Sequence, residues 1–350
     1  MTASITIAGR TIGLDHSPYM IAEMSGNHNG ELSRALEIVV AAKDAGADAV
    51  KLQTYTADTI TINHNGPGFT VEGTLWEGRT LHDLYDEAHT PWAWHKPIFE
   101  KAASLGLPVF SSPFDFTAID FLEELGCPAY KIASFEAVDI PLIERAAASG
   151  KPVIISTGLA SRDEIAEAIG SAKRAAGQYP AILHCISTYP TEPENCNLRV
   201  IPNMIDTFGT VVGFSDHTLG TAAAVAAVAL GASIIEKHIT LDRADGGPDA
   251  AFSLEPDEFK AMVRDCNIAF AARGHGRFAR LLGDLPHALQ IRDLFLRLRT
   301  AGGALGGLRH HRGSAHHRRG HLARARRTAA GDPGLAERAL LHRRRPQDRL

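Results

Sequence analysis

Glycine-rich nucleotide loops are missing from this 350-residue sequence: neither GxGxxG nor GxxxxGKS/T occurs, which excludes the common ways of cradling a nucleotide phosphate. Cysteine is scarce and scattered. Cys127, Cys185, Cys196 and Cys266 form no CxxC pair, so neither a zinc knuckle nor a disulfide framework is expected, and buried free thiols are the simpler reading. No apolar run approaches the roughly 20 residues that cross a bilayer. The N-terminus also lacks a charged start followed by an apolar stretch and a small-residue cleavage site, so a cytoplasmic protein without membrane contact is expected. With 45% hydrophobic and 22% charged residues, the composition is that of a soluble globular chain and argues against wholesale disorder. The length suffices for one large barrel plus an appendage, or for two ordinary domains.

The formal net charge of −4 conceals a change of character near Arg273. Residues 1–272 carry 18 basic and 35 acidic residues, whereas residues 273–350 carry 18 arginines, no lysine and 5 acids. The same stretch holds 8 histidines and one isoleucine, and no valine, tyrosine, tryptophan, asparagine, methionine or cysteine. Residues that pack pleated sheets are nearly gone from it, so a β-rich domain is hard to build there. The chain accordingly divides into a folded domain at 1–272 and an Arg/His-rich tail at 273–350.

Within the first part, short apolar runs rich in β-branched or aromatic residues recur at 19–23, 49–54, 108–112, 129–134, 153–157, 181–187, 211–217 and 234–238. Helix-like stretches such as 32–45 and 162–176 separate them, the first preceded by Gly30 and ended by Gly46. Regular alternation implies a parallel sheet. Eight β/α units in about 240 residues fit a closed (β/α)8 TIM barrel better than an open doubly wound sheet.

Each run ends in reactive groups: Glu23; Lys51 and Gln53; Ser111 and Ser112; Lys131 and Ser134; Ser156 and Thr157; His184 and Ser187; Ser215 and His217; Glu236 and His238. Barrel enzymes keep their active sites at the C-terminal strand ends, and eight agreeing strands make a merely solvated rim a poor explanation. Two lysines on separate strands, with hydroxyls on four others, would converge on one pocket and hold a phosphate and a carboxylate by charge-assisted hydrogen bonds. An anionic substrate is therefore expected. Both lysines sit inside apolar runs, where an unpaired ammonium is costly, and a structural ion pair with Glu23 or Glu236 is the alternative role for either.

Ser215-Asp216-His217 closes the seventh run and Glu236-Lys237-His238 the eighth. Histidines on neighbouring barrel strands can meet at one ion. Imidazole suits Zn, Mn, Co or Fe, and two protein ligands leave positions for water or substrate, as a Lewis acid requires. His28, in Gly-Asn-His-Asn-Gly, is a substrate-facing loop residue or a turn residue and stays outside the metal set.

Taken together these strings resemble the sialic acid synthase family from about Tyr19 to Asn267. The matching motifs are Ile-Ala-Glu-Met-Ser-Gly-Asn-His-Asn-Gly (21–30), Lys-Leu-Gln-Thr (51–54), Ser-Ser-Pro-Phe-Asp (111–115), Tyr-Lys-Ile-Ala-Ser (130–134), Ile-Ser-Thr-Gly (155–158), Gly-Phe-Ser-Asp-His-Thr (213–218), Glu-Lys-His (236–238) and Gly-Gly-Pro-Asp (246–249). Within the family, Met-Ser-Gly-Asn-His-Asn and Gly-Thr-Leu-Trp-Glu-Gly-Arg-Thr-Leu (73–81) look most like the pseudaminic acid synthases.

The resemblance implies condensation of phosphoenolpyruvate with 2,4-diacetamido-2,4,6-trideoxy-altrose to give pseudaminic acid and phosphate. Lys51, Ser112, Lys131, Ser134, Ser156 and Ser215 would cradle phosphoenolpyruvate, with Ser112 where many relatives have Thr. Gln53, Ser187, Tyr189 and Asp249 would lie near the sugar. Ser187 stands where N-acetylneuraminate synthases have Asn, which fits a different hexose. His217 and His238 would bind a divalent metal, Mn foremost with Mg or Co as alternatives, to polarise the sugar aldehyde. Glu23 is the candidate for proton transfers around the aldehyde and the attacking water. The same condensation yielding N-acetylneuraminic or legionaminic acid is the nearest alternative; an inactive barrel and a metal-dependent aldolase are others.

Such proteins usually continue into a small antifreeze-like β domain that, in a domain-swapped homodimer, reaches over the partner's site. Residues 273–350 do not resemble it. Loss of Lys in favour of Arg, with loss of Val, Tyr and Asn, follows from reading GC-rich codons out of register, so the tail is read as a frameshifted remnant and dimerisation is in doubt. A basic segment for nucleic acid or acidic membranes is the alternative, disfavoured by the acidic barrel.

Overall fold

The computed structural model describes residues 3–72 and 75–274; almost the whole of the Arg/His-rich tail, and Gly73 and Thr74 of the 73–81 motif, lie outside them. The chain begins with an antiparallel hairpin, β1 (Ser4–Ile7) and β2 (Arg10–Gly13). Its turn, Ala8-Gly9, has positive φ at both residues (46° and 83°), the geometry that matches the twist of paired strands. Ile5, Ile7 and Ile12 are buried in the main core. Arg10 donates to the Pro18 carbonyl at 3.0 Å and pairs with Asp48, which lies just before the second barrel strand. The hairpin is thereby tied to the N-terminal end of the barrel, and the sequence reading did not foresee it.

Eight parallel strands follow: β3 (Tyr19–Glu23), β4 (Ala49–Thr54), β5 (Val109–Pro113), β6 (Tyr130–Ile132), β7 (Val153–Ser156), β8 (Ala181–Cys185), β9 (Val212–Asp216) and β10 (Ile234–His238). They close in sequence order, with β10 pairing back onto β3. All eight expected runs are barrel strands. Nearly every strand residue is buried, because the interior face is filled by side chains and the outer face is covered by helices. Two strands end two residues earlier than expected. β6 stops at Ile132, as Ser134 opens a short 3-10 turn at Phe135–Val138, and β8 stops at Cys185.

The helices are α1 (Leu32–Asp44), α2 (Ala57–Ile60), α3 (Leu81–Ala88), α4 (Trp92–Ser104), α5 (Phe116–Glu124), α6 (Ile140–Ala147), α7 (Arg162–Ala176), α8 (Val200–Phe208), α9 (Ala222–Ala229) and α10 (Pro256–Arg273). Their ends are written in the sequence. Ser161 and Glu164 form a reciprocal capping box at the start of α7, and Gly177, at φ 71°, accepts the left-handed turn that ends it. Asp115 caps α5 by accepting from the backbone N–H groups of Thr117 and Ala118.

Candidate active site

Parallel register sets the reactive groups side by side on the inner wall. Glu23 lies opposite Lys51 on one side and His238 on the other; Gln53 lies opposite Ser112, and Ser215 opposite Glu236. Because side chains alternate between faces of a strand, these groups reach the interior near the C-terminal rim, whereas their immediate neighbours point into the helix layer. Ser111 bonds Thr54, which bonds His95, at 2.6 and 2.8 Å. His184 donates from Nε2 to the Cys196 carbonyl at 2.7 Å, and Thr157 donates to the Leu183 carbonyl at 3.1 Å. These three rim candidates, Ser111, Thr157 and His184, are thus satisfied structurally and sit outside the polar cluster.

At the centre lie two lysines and two carboxylates. Lys51 Nζ is 2.8 Å from Glu23 Oε2 and 3.5 Å from Glu236 Oε1, and Lys131 Nζ is 3.2 Å from the same Glu236 oxygen; all four side chains are at most 5% exposed. The structural ion pair held open as an alternative is present for both lysines. Lys131, paired with Glu236 alone among the described residues, keeps donor capacity free, whereas the three protons of Lys51 already face two carboxylates and a hydroxyl. Lys51 also donates to Ser112 Oγ at 3.3 Å, Ser215 donates to Glu236 at 3.3 Å, and Gln53 donates to Glu23 Oε1 at 2.8 Å.

Burial penalises every charge here, and the neighbours decide which survive. For Glu23 burial wins: its carboxyl is pushed up, with Lys51 opposing and Glu236 adding to the rise. Burial pushes Glu236 up as well, but Lys131 and Lys51 together hold it below the usual carboxylate range. Lys131 is lowered by burial that Glu236 only partly offsets, and Lys51, facing both carboxylates, is raised despite its burial. The two carboxylates are thus driven apart, Glu23 being the more readily protonated and Glu236 the more readily ionised.

Hydroxyls ring this centre. Ser134 Oγ lies 2.9 Å from Cys185 Sγ and accepts from Gly158 N at 3.3 Å. A Cβ on Gly158 would come within 2.6 Å of Ser187 Oγ and Cys185 Sγ, so glycine there keeps the space open. Ser156 Oγ and Ser187 Oγ are buried and have no hydrogen-bond partner among the described residues, a costly condition unless a ligand supplies one.

The two histidines meet beside the lysines. Their ring centroids are 5.6 Å apart, with Tyr189 4.4 Å from the His217 ring and Phe252 4.9 Å from the His238 ring. His217 Nδ1 lies 3.0 Å from the Ile186 carbonyl; a carbonyl only accepts, so Nδ1 carries the proton and Nε2 keeps its lone pair. His238 Nδ1 is buried without a hydrogen-bond partner among the described residues and stands 3.9 Å from Asp249 Oδ2. Burial holds His217 down at about 4 and His238 well below its ordinary value, so both rings are neutral near pH 7. Asp249, raised by burial, bonds Ser25 and the Gly26 backbone, and Ser25 accepts from Gln53 at 3.1 Å. Trp76, from the long segment between β4 and β5, donates to the Pro248 carbonyl at 2.8 Å and lies 5.8 Å from the Tyr189 ring.

Sequence reasoning left Glu236 as an optional partner, and it missed Ser25 and Glu136. Glu136 sits in the turn after β6. Its Oε2 is buried with no hydrogen-bond partner among the described residues, and burial pushes its carboxyl up to about 7, with Lys131 only partly opposing. A carboxyl raised in the fold contributes nothing to stability while both states are protonated, below its ordinary 4.5. It costs increasingly as the unfolded chain ionises between that value and about 7, and the full penalty holds above. Glu136→Gln should be neutral at pH 4 and raise the melting temperature by about 5 °C at pH 8; an equal effect at both pH values, read by thermal melts, would contradict this.

The NeuB family model matches residues 38–278. The chain is 44% identical to the pseudaminic acid synthase of Helicobacter pylori, over 73% of this chain and 76% of that protein. It is 45% identical to the pseudaminic acid synthase of Campylobacter jejuni, over 75% of this chain and 77% of that one. Among solved structures, the N-acetylneuraminic acid synthetase of Leptospira borgpetersenii in complex with citrate superposes with a TM-score of 0.75 at 31% identity, over 85% of this chain and 98% of that one. A barrel with this rim, matched by the family model along most of its length and by relatives at these identities, makes the chain a member of the NeuB family.

Proposed function

We propose that this chain condenses phosphoenolpyruvate with 2,4-diacetamido-2,4,6-trideoxy-altrose to give pseudaminic acid and phosphate. The observation that carries the proposal is two buried lysines, ringed by buried hydroxyls, beside a pair of neutral histidines at one barrel rim. The identity to the two pseudaminic acid synthases supports the choice of sugar.

In this reading Lys51 and Lys131 neutralise the phosphate and carboxylate of phosphoenolpyruvate, and Ser112, Ser134, Ser156 and Ser215 hold its oxygens. Gln53, Ser187, Tyr189 and Asp249 line the sugar end. A lone pair kept free on His217, an unpartnered buried nitrogen on His238 and a carboxylate within 4 Å of it fit a divalent ion. Such an ion, Mn foremost with Mg or Co as alternatives, would polarise the aldehyde oxygen. Carbon C3 of the enol forms the new bond to the aldehyde carbon. Water then adds at C2 and the bond from C2 to the phosphate oxygen breaks, releasing phosphate. Glu23, whose carboxyl burial pushes up, takes the proton from this water, having given one to the aldehyde oxygen. The lysines stabilise charge where it develops, in a site too buried for water to screen it.

Exposed Phe135, Leu159 and Leu219, on the loops after β6, β7 and β9, support a cover over this rim of the kind the family's capping domain provides. The tail at 273–350 is in our reading an out-of-frame remnant of that domain. The purified full chain with Mn and phosphoenolpyruvate should release phosphate only when the trideoxy-altrose is added. Release that begins only after the tail is replaced by an in-frame capping domain would place the defect in the tail, and no release from either protein would sink the synthase reading.

A further inference from the structure

Asp216 and Lys237 are the residues immediately before His217 and His238, and neither takes part in the chemistry above. They point from β9 and β10 into the layer between barrel and helices, opposite each other in register, with Nζ 3.0 Å from Oδ2 and both side chains wholly buried. Around them lie Cys196, Cys266 and Glu258. An ion pair this deep is weak support for stability, because removing two charges from water costs about as much as their attraction returns. Its presence calls for another reason.

The bonds around the pair supply one. Asp216 Oδ1 accepts from both the backbone N–H (2.9 Å) and the hydroxyl (2.8 Å) of Thr218, while Lys237 donates to the Thr218 carbonyl. The chain on either side of His217 is thus bound into one knot, and the knot is fastened across the sheet to the residue preceding His238. The remaining freedom of His217 is removed from the other side, where its carbonyl accepts from Thr191 N at 2.9 Å and its Nδ1 donates to Ile186. We infer that the buried Asp216–Lys237 pair is a positioning device that fixes the two imidazoles relative to each other, and so sets divalent-metal affinity rather than fold stability. This rests on the metal-dependent reading above.

The test is Mn binding by electron paramagnetic resonance on the full chain, alongside thermal melts and the Mn dependence of phosphate release. The Asp216→Leu/Lys237→Met double variant, which removes both charges at similar volume, should melt within a few degrees of the parent. It should bind Mn about 10–100-fold more weakly, the usual effect of losing a partner behind a metal ligand, with a raised KM for Mn and a kcat that recovers at saturating metal. Thr218→Val, which removes only the hydroxyl bond to Asp216, should weaken Mn binding about threefold in the same direction, and decides the matter if the double variant does not fold. Parent-like Mn affinity in a folded double variant, or in Thr218→Val where the double variant does not fold, would overturn the positioning role. A parent that binds no Mn at all would instead remove the metal reading, and this inference with it.

Discussion

Replacing His217 and His238 together by alanine should leave the barrel folded and cut sugar-dependent phosphate release about a thousandfold. Polarisation of a carbonyl by a bound ion supplies several kcal/mol of transition-state stabilisation, and each 1.36 kcal/mol is a factor of ten in rate, so losing about 4 kcal/mol gives this size. The structural loss is small by comparison. The His217 imidazole makes one hydrogen bond to Ile186, worth about 1 kcal/mol, and His238 Nδ1 makes none among the described residues. Steady-state rates across a Mn titration check the prediction; a variant within tenfold of the parent at saturating substrate would show that the histidines serve the fold alone.

Lys131→Met should produce two separable losses. Removing the ammonium leaves the buried Glu236 with the Ser215 hydroxyl and the longer ion contact to Lys51, and breaking a buried pair from one side costs about 3 kcal/mol of stability, measurable by urea denaturation. If Lys131 also holds phosphoenolpyruvate, the KM for that substrate should rise about a hundredfold, the worth of one charge-assisted hydrogen bond in a dry site. A fall in stability with an unchanged KM would assign Lys131 to Glu236 alone.

Much of this was legible in the sequence because a parallel barrel repeats one pattern. The eight apolar runs ended in polar groups, and all eight are strands whose C-terminal ends carry the cluster. Helix limits set by local chemistry, as at Ser161 and Gly177, were equally readable. Ser111 was not separable from Ser112 by pattern alone, since alternation gives two faces without saying which is inside, and only the family resemblance singled out Ser112. Glu236 could not be recognised as the shared counter-ion of both lysines either; it lies 105 residues from Lys131.

By itself, then, the sequence determined the fold class, the rim that carries the polar cluster and the residue types available there, because hydrophobic period, capping and turn residues act over a few neighbours along the chain. Only the tertiary structure decided the opposed pKa shifts of Glu23 and Glu236, the proton placement on His217, and the buried Asp216–Lys237 pair behind the histidines. Those follow from burial and from charges brought within about 4 Å, and both arise only when β10 closes against β3 and the helices exclude water.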